Sequence, residues 1–289
     1  MRLLTTVTAM TLWASAALAE TVTTPPFIEA VHPMNGEVLG VAIGPGGPGV
    51  EFSSTETNGG LYRLGQTTVQ IPMSDGKGLR NPTGLTVADG MIYLVDGNEI
   101  LAVTAEGDVL WRVADGREGV FLWNIELAAD GRLLVSDFGN GRFVSVNRTD
   151  GAISDFAPNL HLPTLARFTV AADAIWAITW GSDTGWDSTL YRVSQNGSEW
   201  KADAVASGFG NAEAVALQGE SILVGGYRGH ETAPAARLMR VDPATGTVAG
   251  LTIGGDTQGI SDIMIDGDTV YLTFPPDAKY ARFPTADLK

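Results

Sequence analysis

One four-residue run, Leu61-Tyr62-Arg63-Leu64, returns along the chain as Ile100-Leu101-Ala102-Val103, Phe143-Val144-Ser145-Val146, Leu190-Tyr191-Arg192-Val193, Leu238-Met239-Arg240-Val241 and Tyr280-Ala281-Arg282-Phe283. The steps are 39, 43, 47, 48 and 42 residues. Upstream of most copies lies a strand, a tight turn and a second strand, as in GLTVADGMIYLVD (84–96) and IELAADGRLLVSD (125–137), with Asp-Gly in the clearest turns. VLGVAIGPGGPGVEF (38–52) reads as a looser first copy. A further turn, such as Glu106-Gly107 or Asp150-Gly151, leads into a fourth strand. Four strands in each such period, six times over, specify an all-β, six-bladed β-propeller with four antiparallel strands per blade. After Phe283 only six residues remain, too few for a good fourth strand. The segment around Phe27-Ile28-Glu29-Ala30-Val31 is therefore expected to supply the outer strand of the last blade. That closes the ring and removes an open edge.

The rest of the chain is consistent with one exported domain. Residues 3–19 are apolar, follow Met1-Arg2 and end in Ala17-Leu18-Ala19. This is the pattern of a secretory signal peptide cut after Ala19, which leaves residues 20–289 as a single periplasmic or secreted propeller. Cleavage removes Arg2 and no acid, so the net charge moves from −15 to −16. No twin-Arg pair is present, which points to export of the unfolded chain. The acidic balance and the lack of a basic run exclude nucleic acid and anionic lipid as partners. No other segment is apolar enough to span a membrane. With no Cys, the fold must stand on its own core. A monomer is expected.

Asp137, Asn140 and Arg142 fall between the second and third strands of their blade, where Asp and Asn satisfy backbone groups. Asp96 holds the equivalent place one blade earlier. These residues read as blade punctuation. By contrast, the residues opening each inner strand converge on one end of the central channel. They are Leu39-Gly40, Thr83-Gly84, Trp123-Asn124, Ala166-Arg167, Glu213-Ala214 and Ser261-Asp262. The set does not repeat, and a non-repeating polar ring is where a site is grafted onto a repeat fold. Glu37 and Glu126 are placed to reach the same space. GSDTGWDST (181–189), GYRGHETAPAA (226–236) and FSSTETNGG (52–60), the longest loops, belong to the same face. Trp123, Arg167, Trp186, Tyr227, Arg228 and His230 are the candidate ligand-binding residues there, for a small molecule or a protein partner.

SDFGNGRFVSV resembles the Asp-x-x-Asn-x-Arg signature of NHL-repeat propellers. With its PTGLTVADGMIYLVD and LWNIELAADGRLLVSD blades, the mature chain resembles the superfamily of NHL and gluconolactonase-like (senescence marker protein type) propellers. The resemblance implies Ca²⁺ at the channel mouth, with Glu37, Asn124, Asn211 and Asp262 as ligands. It also implies a lactonase or ester hydrolase with Asp262 or Glu213 as general base. The family's Glu-Gly-Pro is Glu37-Val38-Leu39 here, and Asn124 and Asn211 are followed by Ile125 and Ala212. The alternative is a propeller that binds without chemistry. GPGGPG (44–49) matches a dinucleotide fingerprint by letter only, since no helix follows it. His32, His161 and His230 lack metal-site spacing.

Overall fold

The computed structural model describes residues 20–43, 59–182, 184–253 and 258–288. Residues 1–19, read above as a signal peptide, GPGGPG (44–49) and most of FSSTETNGG (52–60) lie outside them. Twenty-four strands form six sheets of four, each in antiparallel meander order, arranged as six blades. The inner strands are Ile28–Met34, Pro82–Ala88, Leu122–Leu127, Leu165–Val170, Ala212–Gln218 and Asp262–Asp266. Among the described residues no helix is long and apolar enough to cross a membrane.

Blade one departs from expectation. Its inner strand is Ile28–Met34 and its second strand is Glu37–Ala42, joined at Asn35-Gly36. Both turn residues have positive φ (52° and 84°), as a two-residue hairpin of this twist requires. Asp89-Gly90 makes the same turn in blade two, with φ values of 52° and 76°. Leu39-Gly40 thus belongs to a second strand, and the ring residue of blade one is Glu29. Pro33 masks the strand in the sequence. It is tolerated there because an inner strand has one edge turned to the channel, where no ladder bond is lost. Closure comes from Glu20–Thr23, which pairs with Lys279–Pro284 as the outer strand of blade six, and Glu20 also meets Arg282. The N-terminus closes the ring as expected, but with residues earlier than 27–31.

Each pair of neighbouring blades buries an apolar layer. Between blades four and five it contains Trp176, Ile178, Leu190, Val215, Ile222, Val224, Met239 and Val241. The punctuation reading of Asp137 is explicit in the hydrogen bonds. One carboxylate oxygen accepts the amides of Phe121 (3.1 Å) and Asn140 (3.2 Å). The other accepts the Asn140 side chain (3.0 Å) and the Arg142 guanidinium (2.8 Å). Asp96 accepts the amides of Arg80 (2.8 Å) and Asn81 (2.5 Å) in the same way. A buried carboxylate at this repeat position pins the incoming loop to the blade, so these residues belong to the fold.

The register of the inner strands positions the candidate site. In five blades the pairing to the second strand slips just where the strand begins. The slips fall between Ile28 and Ala30, Pro82 and Gly84, Leu122 and Ile125, Leu165 and Phe168, and Ala212 and Ala214. Such a bulge re-aims one side chain. The residues so displaced are Glu29, Thr83, Trp123-Asn124, Ala166-Arg167 and Glu213.

Candidate functional site

Arg167 occupies the centre of the ring and is 1% exposed. Its Nε donates to Ser261 O of blade six (2.5 Å). One Nη donates to the Asn124 side-chain oxygen of blade three (3.3 Å) and lies 3.5 Å from Asp262. The other donates to Glu29 O of blade one and Thr83 O of blade two, both at 2.8 Å. A single guanidinium on blade four therefore reaches four other blades. Its planar fork of five donors suits this geometry, which a lysine point charge cannot match. The ring is stitched further by Ser261 Oγ to Glu29 O (3.0 Å), Ser136 Oγ to Ala166 O (2.6 Å) and Thr83 Oγ1 to Leu122 O (3.2 Å).

Carboxyls outnumber this cation. Burial raises the Asp262 carboxyl against the pull of Arg167. Burial pushes Glu126 up to about 8, with Asp262 adding repulsion. Glu213 is raised well above its ordinary range, first by burial and then by Glu29. The Tyr227 hydroxyl lies beside Glu213; burial and that neighbour both raise it. His32 is lowered by burial, in spite of the Pro33 carbonyl on Nδ1 (2.7 Å). The mouth of the channel is thus a buried pocket in which carboxyls raised above their ordinary range surround one arginine.

The four candidate Ca²⁺ ligands do not converge. Glu37 is paired with Met34, at the opposite end of the inner strand from Glu29, and forms an exposed ion pair with Arg63 (3.1 Å). Five residues of strand separate the two ends, roughly 16 Å. Asn124 spends its amide on Phe168 O (2.9 Å) and its oxygen on Arg167. Asn211 adopts a left-handed backbone (φ 53°), and its carbonyl accepts the Tyr227 amide (3.1 Å). Asn124 and Asp262 both face the ring centre, where Arg167 already sits between them. Among the described residues no group of three or more His, Asp or Glu is arranged to hold a metal.

The six candidate ligand-binding residues divide. Trp123 is 2% exposed, stacked on Phe138 (5.1 Å) and edge-on to Trp180 (5.7 Å), so it belongs to the core. Arg167 is the plug just described. His230 is buried, with Thr232 Oγ1 (2.8 Å) and Ser207 O (2.9 Å) on its two ring nitrogens, which makes it a loop brace. Trp186, Tyr227 and Arg228 remain half-buried at the loop face. The Arg228 guanidinium lies 4.1 Å over the Trp186 ring and donates to Gly185 O (3.1 Å). Tyr227 lies 6.0 Å from Trp180 and fills the space above Gly259, where any Cβ would strike its ring. Antiparallel pairing of Leu165 with Thr179 puts the 181–189 loop on the face where the inner strands begin. Glu29 is the ring residue that sequence reasoning missed; the Asn35-Gly36 turn was the signal that identifies its strand.

No protein-family model matches the chain, and no curated protein sequence matches it. Solved structures do. Virginiamycin B lyase from Staphylococcus aureus superposes with a TM-score of 0.54 at 16% identity, over 91% of this chain and 98% of that one. A streptogramin B lyase gives 0.56 at 14% identity, over 91% and 96%. The extracellular domain of a putative one-component system, BT4673 from B. thetaiotaomicron, gives 0.56 at 14% identity. That match spans 90% of this chain but only 34% of the other. At these identities the likeness establishes the propeller fold.

Proposed function

We propose that the protein is an exported propeller that binds a small ligand, or a partner protein, at its long-loop face without transforming it. The observation that carries this reading is the division of labour at that end of the molecule. Arg167 seals the polar ring with hydrogen bonds to four blades, while Trp186, Arg228 and Tyr227 stand half-buried above it. An aromatic and guanidinium surface beside a sealed channel is built for recognition. Export rests on the apolar segment ending Ala17-Leu18-Ala19. The Asp137-Asn140-Arg142 network supports membership among NHL-type propellers. The structural neighbours carry names of lyases and of a sensor's extracellular domain, so fold alone does not choose between chemistry and binding.

The competing proposal is a Ca²⁺-dependent lactonase using Asp262 or Glu213. The surplus of carboxyls around Arg167 favours it, but the ligand set inferred from the sequence does not assemble. Screening mature protein against extracytoplasmic solutes (sugars, amino acids, organic acids and lactones) for a rise in melting temperature separates the two. Hits are expected to lose their shift in Trp186→Ala and Arg228→Ala, each compared with its own ligand-free melting temperature. Hits unaffected by both changes and by Asp187→Asn in the adjoining 181–189 loop, or divalent-dependent hydrolysis of a lactone, would overturn the binding assignment.

A further inference from the structure

Blade four carries an open cleft of about 590 Å³ on the loop face, lined by Pro163, Thr164, Trp180, Ser182, Asp187 and Tyr191 among others. We propose that this cleft takes a neutral, polyhydroxylated ligand of the saccharide class. The inference rests on the loop face being a ligand face, and it names the ligand.

The lining chemistry is selective. Thr164, Thr179, Ser182, Thr189 and Tyr191 contribute hydroxyls; those of Thr164, Thr179, Ser182 and Thr189 donate to protein oxygens, so toward a ligand they act as acceptors through their remaining lone pairs. Among the described residues no Lys or Arg lines the cleft, so an acid would find no counter-charge there in a strongly acidic protein. Among the described lining residues Asp187 is the one carboxylate, too little for a cation that wants several oxygens. One Asp187 oxygen is held by Ser182, through its amide (2.8 Å) and its hydroxyl (3.2 Å). That leaves the other oxygen of this exposed side chain as an acceptor for a ligand hydroxyl. Trp180 is half-buried and supplies an apolar ring, against which the C–H face of a sugar stacks. The volume matches a mono- or disaccharide.

Thr164 shows that the Trp180 position is enforced. Its φ is +57°, a conformation that a β-branched residue avoids. It is clamped to Trp180 twice. The Trp180 amide donates to Thr164 O (2.9 Å), and Thr164 Oγ1 lies 2.8 Å from Trp180 O. Strain held in this way marks a position whose geometry matters. Thr164 is a positioning residue for the Trp180 platform.

Calorimetric titration of wild-type mature protein with neutral mono- and disaccharides should show saturable binding by at least one of them at millimolar concentration or tighter. Asp187→Asn and Trp180→Ala should each weaken it tenfold or more. Trp180 also touches Trp123, so Thr164→Gly provides a second handle, because glycine accepts the positive φ. It should keep the melting temperature and still lower saccharide affinity severalfold by releasing the ring. No saccharide binding at 50 mM or below, or binding unchanged in Asp187→Asn and Thr164→Gly, overturns the proposal. A non-saccharide hit lost in Trp186→Ala, with no saccharide bound, would sink the ligand class alone. Divalent-dependent lactone hydrolysis would sink the wider binding function.

Discussion

Arg167→Met lowers the melting temperature of the propeller by roughly 6–20 °C. The side chain is buried, and its removal strands the carbonyls of Thr83 and Ser261 together with the Asn124 oxygen. It also takes the Arg167 guanidinium away from Asp262, Glu126 and Glu213. Breaking a buried ion pair by deleting one partner costs about 3–5 kcal/mol. In a domain near this size each kcal/mol moves the midpoint by about 2–4 °C. Arg167→Lys should fall between wild type and methionine, since it keeps the charge and loses the fork. Scanning calorimetry of the three proteins decides the matter. A methionine variant melting with wild type would show that the guanidinium is not what ties the blades together.

The second large effect is a dependence of stability on pH, set by Glu126. Its carboxyl ionises near 4.5 in the unfolded chain and at about 8 in the folded one. Between those values the unfolded chain has released a proton that the folded chain retains, so stability falls as pH rises through this window. The full slope for one proton is about 1.4 kcal/mol per pH unit. Allowing for the solvent that reaches the side chain, Glu126→Gln should stabilise the fold on the order of 2–3 kcal/mol at pH 8.5 and hardly at all at pH 4. Glu213 and Asp262 are shifted in the same direction, so the variant retains part of the wild-type decline. Urea denaturation of both proteins across this range tests it. Parallel pH profiles would mean that Glu126 is as ionised in the folded state as in the unfolded.

Much of the architecture could be read from residues alone, because a propeller writes its fold as local pattern. The Asp-Gly turns and the recurring third strand are short-range signals, and the Asp137 and Asp96 carboxylates bond amides within 16 residues. Blade one was misaligned where two local signals conflicted. Pro33 lies inside the strand that the Asn35-Gly36 turn requires, and with 38–52 taken as the first copy Glu29 falls outside the ring. The sequence places Arg167 in the ring but does not show its role as a plug. Arg167 meets Ser261 and Glu29 across 94 and 138 positions of sequence, contacts that exist only once the ring has closed. Burial of Trp123 and His230 has the same origin. Each is covered by side chains of other blades or loops, and neither cover has a sequence signature.

The central claim is that the ring at the channel mouth is completed by Arg167 and that recognition takes place in the loops around it. The most direct test is the melting temperature of mature protein, stripped with chelator and titrated with Ca²⁺, beside Asp262→Ala. A ligand of the folded state at 100 times its Kd stabilises by about 2.7 kcal/mol, a shift of roughly 5–10 °C here. The account predicts no saturable shift in wild type. A rise of that size that disappears in Asp262→Ala would put a cation where Arg167 is placed and contradict it.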